Sequence, residues 1–257
     1  GELLGGLNNW AYWLGWSPVI AVNSSIMAMY AAVMGGYYKN YFLGVLPKWP
    51  QGYIYLFGFT ITLTTLLYIV NYFGLTLGYR SALAFAILSL GPLLFLGLAP
   101  LATGAMNWSN TFSSKWAIVV LPWFFIVIWN TLAMEATANY LGECKDPARD
   151  SPKAMTAAAM TGLIIYTIIP FAMLGVLGST SVAADPWGGF IKVAEIYAGP
   201  YSVYFVGIML FAALLLSNTN ALIGCSRSLY QSSVEGLTIR WFGKLNKYGS
   251  PYRAMLW

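Results

Sequence analysis

The chain contains no histidine. That removes the side chain that most often carries protons near neutral pH and most often ligates metals. The two cysteines, Cys144 and Cys225, stand far apart, without the CxxC or Cys/His spacing that holds a metal or a redox couple. Charge is scarce as well: Asp, Glu, Lys and Arg make up 8% of the residues, where a soluble domain averages about a quarter. Despite a net charge of +5, no basic run is dense enough to signal nucleic acid. No phosphate-binding glycine loop and no signal peptide occur. With no nucleophile–base pair and no metal constellation to assemble, an enzyme is not expected, and neither is a cofactor.

What the chain has is apolar length. Hydrophobic residues make up 59% of its 257 positions. Six apolar runs cover residues 9–33, 53–73, 82–101, 116–141, 155–177 and 201–229. Each reaches or exceeds the roughly 20 residues needed to cross about 30 Å of hydrocarbon. In lipid every backbone N–H and C=O must be satisfied internally, and runs this long and uniform do so as helices, not barrel strands. The fold class is therefore all-α integral membrane, one transmembrane domain over residues 1–257 embedded in the bilayer. A seventh run opens at Ala254, and the chain starts without methionine, so it is read as a piece of a longer protein.

Basic residues orient the bundle. With the N-terminal end in the cytosol, the inner side holds Arg80, Lys145, Arg149, Lys153, Arg227, Arg240, Lys244, Lys247 and Arg253, and the outer side Lys39, Lys48, Lys115 and Lys192. Nine against four is a positive-inside bias. The expected location is the cytoplasmic membrane, multi-pass. Residues 230–253 then form a cytoplasmic loop, and residues 178–200 an extracellular amphipathic one. The apolar residues of its second half (Phe190, Ile191, Val193, Ala194, Ile196, Tyr197) suit either a helix lying on the membrane or a lid over a cavity. Trp10, Tyr12, Trp13 and Trp16 fall near a span end, where aromatic belts anchor helices.

Polar residues inside the spans are few: Asn23, Ser24 and Ser25; Thr60, Thr62, Thr64 and Thr65; Ser89; Asn130, Thr131 and Glu135; Ser217, Asn218, Thr219 and Asn220. Hydroxyls at such depth commonly bond their own helix backbone or join helices. Glu135 differs, because a carboxylate inside a span is costly and is read first as part of a substrate or ion pathway; the competing reading is a carboxylate paired within the bundle or reaching the inner surface. Pro18, Gly91 with Pro92, Pro122 and Pro170 interrupt spans. Such interruptions are either plain kinks or breaks whose freed backbone groups bind a ligand. No Gly or Pro falls between residues 124 and 141, so composition does not signal a break beside Glu135.

The fourth span and its loop, LAMEATANYLGECKDPARDSPKAM, resemble the amino acid–polyamine–organocation permeases, with an intramembrane acid at Glu135, a downstream acid at Glu143 and the loop proline at Pro147. The segment NALIGCSRSLYQSSVEGLTIRWFGKLNKYGSPYRAML is similar to that family's eighth helix and the basic loop after it, and NNWAYWLGW to the start of its third. The resemblance runs in order along essentially the whole chain. It implies a secondary transporter with ten core helices in two inverted five-helix repeats, of which this chain would hold the third to the eighth and the start of the ninth. Helices one and two, the first with its glycine-rich break, lie outside it. The broken sixth helix supplies the other half of the substrate site, which maps to Asn130, Thr131, Leu132, Ala133 and Met134, with Glu135 just beyond. Ala133 stands where the family usually has glycine.

The resemblance also bears on coupling. Where proton-coupled members carry a lysine in helix five, this chain has Ser89, and the helix-eight hydroxyls that hold sodium in other relatives correspond to Ser217. Sodium at Ser89 and Ser217, a proton on Glu135, and plain exchange all stay open. The expected substrate is an amino acid or related amine. With few charges near Trp129, Leu132 and Met134, a neutral or aromatic side chain is favoured, and a cation drawn by Glu135 is the counter-case. The alternative function is a membrane sensor or structural subunit with the same fold. Oligomeric state is not legible.

Overall fold

The computed structural model describes residues 2–35, 51–110, 144–185 and 188–257. Among them the elements are helical. In chain order they are α1 (Glu2–Met34), α2 (Gln51–Tyr72), α3 (Leu75–Thr103), α4 (Pro147–Ala184), α5 (Gly189–Ala198), α6 (Ser202–Val234) and α7 (Tyr252–Leu256), with 3-10 turns at Trp108–Asn110, Gly199–Tyr201 and Arg240–Phe242. Five of the helical stretches are long and apolar enough to cross a membrane. The fourth predicted span, 116–141, lies outside the described residues.

Several helices outrun the apolar runs that announced them. α1 is 33 residues long and α4 is 38. The early start of α4 has a local cause. Asp146 is its N-cap, accepting the Arg149 backbone N–H at 3.3 Å, and Pro147 occupies the first turn, where no N–H is needed. Asp150 adds a negative charge near the positive end of the helix dipole.

Of the two readings for the span-interrupting prolines, the described ones fit kinks and not breaks, and Pro122 lies outside the described residues. α1 runs through Pro18, α3 through Pro92 and Pro100, and α4 through Pro170. A proline removes one hydrogen bond, which a packed helix tolerates as a kink. The non-helical backbone lies instead at Gly178 (φ 76°, ψ 158°), a conformation that favours glycine.

The described residues divide into two compact units, Gly1–Leu90 with Gly207–Trp257, and Gly91–Val206. In the first, α1 and α6 lie antiparallel, early residues of one meeting late residues of the other. Asn9 Nδ2 donates to Ser232 Oγ at 3.0 Å, and Asn23 Nδ2 to Ser217 Oγ at 3.0 Å. Tyr55 of α2 donates its hydroxyl to the Ala28 carbonyl of α1 at 2.9 Å. Leu67, Leu222 and Met255 form one apolar core, and Leu229, Phe242 and Ala254 another, against which Trp10 and Trp13 pack. Those two tryptophans thus stand near the start of α1 but face protein. In the second unit Gly97 lets α3 approach α4 closely: a Cβ there would meet Ile169 Cδ1 at 2.7 Å and Ile168 Cγ2 at 2.8 Å.

Polarity is distributed the opposite way from a soluble protein. Ile54, Phe57 and Ile61 of α2 are 68%, 66% and 63% exposed, three apolar side chains one turn apart on one face. Ser24, Asn218 and Thr219 are fully buried. An apolar exterior of this extent is stable in hydrocarbon and not in water. The chain is a multi-pass membrane protein.

Candidate functional site

The residues expected to bind substrate (Trp129, Asn130, Thr131, Leu132, Ala133, Met134 and Glu135) lie outside the described residues. Ser89 and Ser217, expected at a coupling ion, are described. Ser89 on α3 is buried and donates its hydroxyl proton to the Ala86 carbonyl at 3.2 Å. Ser217 on α6 accepts from Asn23 Nδ2. Among the described residues no hydrogen bond joins the two serines.

Around Ser217 the first unit builds a polar layer across α1 and α6. Asn218 Nδ2 donates to Ser24 Oγ at 3.1 Å and to the Ile20 carbonyl at 3.3 Å. Ser24 in turn donates to that same Ile20 carbonyl at 2.7 Å. Thr219 donates to Leu215 O at 2.8 Å, and Ser25 to Ala21 O at 2.9 Å. The hydroxyls are therefore mostly spent on their own helices, and the two asparagine amides are what cross between helices. Among the described residues one acceptor in this layer, Asn218 Oδ1, has no partner. A buried carbonyl oxygen without a donor costs roughly 1–3 kcal/mol.

A second polar junction closes the end of the unit where α2 turns into α3. Asn71 Nδ2 donates to Leu67 O at 2.8 Å, and the Asn71 carbonyl receives Ser250 Oγ at 2.8 Å. Asn246 Oδ1 accepts the backbone N–H of Tyr248 at 2.9 Å and of Ser250 at 3.0 Å, while its Nδ2 reaches the Tyr72 carbonyl at 2.7 Å. Tyr72, Phe73, Tyr248 and Tyr252 stack edge-on around this junction, with ring centroids 5.4–6.3 Å apart. Sequence reading placed Asn246 in a plain cytoplasmic loop. Local composition marked a turn through Asn246, Gly249, Ser250 and Pro251, but the docking partner is far along the chain.

A cavity of about 400 Å³ opens in the same unit between α1, α3 and α6, lined by Met34, Phe85, Leu88, Phe211 and Leu215 among others. Among the described residues its lining offers no group for an ammonium or a carboxylate, and those residues suit an apolar chain, not the charged ends of an amino acid.

In the second unit, α5 buries Gly189, Ile191, Val193 and Ala194, and Gly189 sits against α4, where a Cβ would meet Leu177 Cδ1 at 3.6 Å. Of the amphipathic face foreseen in residues 178–200, Ile191, Val193 and Ala194 are buried, while Ile196 is 51% exposed. Asp185 holds its start, accepting the Gly188 N–H at 2.9 Å and pairing with Lys192 at 3.2 Å. At the Gly178 bend, the Gly175 carbonyl of α4 receives Asn107 N–H at 3.0 Å and Asn110 Nδ2 at 3.3 Å, a short chain segment serving as donor to the bent helix.

Comparison with known proteins adds the following. Residues 1–257 match a family model described as amino acid permease. The chain is 26% identical to a gamma-aminobutyric acid permease of Bacillus subtilis, over 96% of this chain and 52% of that protein. It is 25% identical to an uncharacterized transporter of Legionella pneumophila, over 95% and 53%. It is 24% identical to L-asparagine permease 1 of Mycobacterium tuberculosis, over 96% and 50%. The chain spans about half the length of the curated relatives it matches.

Proposed function

Because this chain belongs to the amino acid permease family, we propose that it forms the central part of a secondary active transporter that moves an amino acid or related amine across the membrane by alternating access. The observation that carries this reading is the match of the family over residues 1–257, with relatives that are permeases and not enzymes. The named substrates of those relatives, gamma-aminobutyric acid and asparagine, support a small zwitterion as the substrate class.

In this reading residues 130–134, with Trp129, contribute one half of the substrate site, and Glu135 sets its charge. Three couplings compete. Sodium would use Ser89 and Ser217, whose hydroxyl oxygens sit in helices of the first unit. Ser89 favours this chemistry, because its proton is spent on Ala86 O and, among the described residues, no donor takes its lone pairs. A proton would use Glu135, and exchange would need neither. The N-terminal end of the chain lies in the cytosol of a cell whose cytoplasmic membrane holds the protein, as the positive-inside bias favours.

The test is uptake of labelled gamma-aminobutyric acid, asparagine and polyamines into liposomes holding the full-length protein. A sodium gradient that drives accumulation, lost about tenfold or more in Ser217→Ala, supports the sodium route. Accumulation driven by a proton gradient and lost in Glu135→Gln supports the carboxylate. Uptake only into liposomes preloaded with amino acid supports exchange. Thermal stabilisation by a substrate with no uptake under any gradient overturns transport in favour of a sensor.

A further inference from the structure

The loop after α6 combines two kinds of surface that water cannot satisfy together. Residues 235–257 carry four cations, Arg240, Lys244, Lys247 and Arg253, against one acid, Glu235. Glu235 is occupied locally by Gln231 Nε2 at 2.7 Å. Among the described residues the ion pair found is Lys192 with Asp185, so none of these four cations is neutralised by a carboxylate. Ile239 just before them, and Trp241 and Leu245 between them, are 68%, 44% and 48% exposed.

This segment is a held platform, not a loose tail. Phe242 is buried against Leu229 and Ala254. Ser233 Oγ donates to the Ile239 carbonyl at 2.8 Å, and Asn246 ties the loop to Tyr72. Aromatic rings position the cations: the Arg253 guanidinium lies 5.1 Å from the Trp241 ring and 5.6 Å from the Tyr252 ring, and Lys247 Nζ lies 5.0 Å from the Tyr248 ring. The loop follows, after Val234, a helix long and apolar enough to cross a membrane, and so emerges on one face of the bilayer.

One environment satisfies both halves. At a membrane interface, Trp and aliphatic side chains enter the headgroup boundary while Lys and Arg extend toward phosphate. Zwitterionic headgroups would leave the excess positive charge uncompensated, and anionic ones would not. We propose that Arg240, Lys244, Lys247 and Arg253, with Ile239 and Trp241 inserted beside them, form a binding platform for an anionic phospholipid headgroup of the adjoining leaflet. The proposal stands independently of what the protein transports.

The experiment uses the full-length protein in detergent and follows its thermal unfolding midpoint in mixed micelles of phosphatidylglycerol or of phosphatidylcholine. Phosphatidylglycerol is expected to raise the midpoint well beyond phosphatidylcholine, and high salt to erase the difference. The half-effect concentration should rise roughly fivefold per cation removed, and on the order of a hundredfold in Arg240→Gln/Lys244→Gln/Lys247→Gln. Should the triple variant fail to fold in phosphatidylcholine, Lys244→Gln alone carries the test through its fivefold shift. Equal stabilisation by the two lipids overturns the proposal, and so does an unchanged response in the variant. A salt-sensitive shift produced by polyglutamate but not by phosphatidylglycerol would assign the surface to an acidic protein segment and overturn it as well.

Discussion

Asn218→Ala gives the sharpest test of the polar layer between α1 and α6. Asn218 is fully buried and makes two hydrogen bonds, to Ser24 Oγ and the Ile20 carbonyl. Truncating a fully buried, doubly bonded side chain ordinarily means a large loss. Here the terms nearly cancel. Helix-to-helix hydrogen bonds in membranes average about 0.6 kcal/mol each. The void left is about one water in size, roughly 30 Å³, and at about 24 cal/mol per Å³ costs about 0.7 kcal/mol. Together the losses come to about 2 kcal/mol. Against them stands the removal of Asn218 Oδ1, an acceptor with no partner among the described residues, which returns roughly 1–3 kcal/mol. Nothing new is orphaned, because Ser24 keeps its own bond to the Ile20 carbonyl at 2.7 Å.

The expected outcome is a change within about 1 kcal/mol of wild type, measured by reversible unfolding of the full-length protein in bicelles. Asn218→Asp provides the contrast, since an ionised carboxylate at this depth has no cation beside it among the described residues and should prevent accumulation of folded protein. A loss well above 2 kcal/mol in the alanine variant would refute the reasoning. It would mean that Oδ1 has a donor or a cation in the working protein.

Two further substitutions separate local causes. Asn246→Ala removes three hydrogen bonds that hold the loop to the α2–α3 turn, and at about 1 kcal/mol each, discounted for partial exposure, should cost about 2 kcal/mol. Asn246→Asp keeps both acceptor bonds but turns the donor 2.7 Å from Tyr72 O into an oxygen that repels it, so it should lose at least the roughly 1 kcal/mol of that bond, and a neutral outcome in the same unfolding assay would contradict the geometry. Gly178→Ala forces a Cβ onto a backbone at φ 76° and should cost about 1–2 kcal/mol although its nearest neighbours are at 3.6 Å. Gly162→Ala, at a helical position with open φ, should be neutral or stabilising by the same measurement.

The helices were legible because the bilayer leaves so few alternatives. A long apolar run must satisfy its own backbone, so length alone identifies a crossing. The start of α4 at Asp146 and Pro147 followed a local rule that any helix obeys. What composition could not supply was direction. In helices apolar on nearly every face, the pattern that tells a soluble helix which side is inward is faint. Nothing in the sequence of α1 said that Asn9 and Asn23 would face α6, nor that Trp10 and Trp13 would pack against protein. The same limit left kink and break undecided at the prolines. Proline is conspicuous in a sequence, yet α1, α3 and α4 pass through theirs, and the departure falls at Gly178, one of 26 glycines.

For the candidate site, the polar residues were legible as an inventory and their roles were not. Ser24, Ser25, Thr62, Ser89 and Thr219 all return a hydroxyl to their own helix, the local bond that these side chains make with least constraint. Ser217 is different, because it is held from across the helix pair by Asn23. This bears on the coupling ion. A hydroxyl oxygen has two lone pairs and one proton. The Asn23 amide takes one lone pair, which fixes the direction of the other, and no cation could approach along the occupied one. Asn23 is therefore a positioning residue for any ion that Ser217 coordinates. If sodium binds there, Asn23→Ala must weaken the sodium dependence of uptake while leaving the Ser217 oxygen in place, whereas a proton route through Glu135 would not register the change.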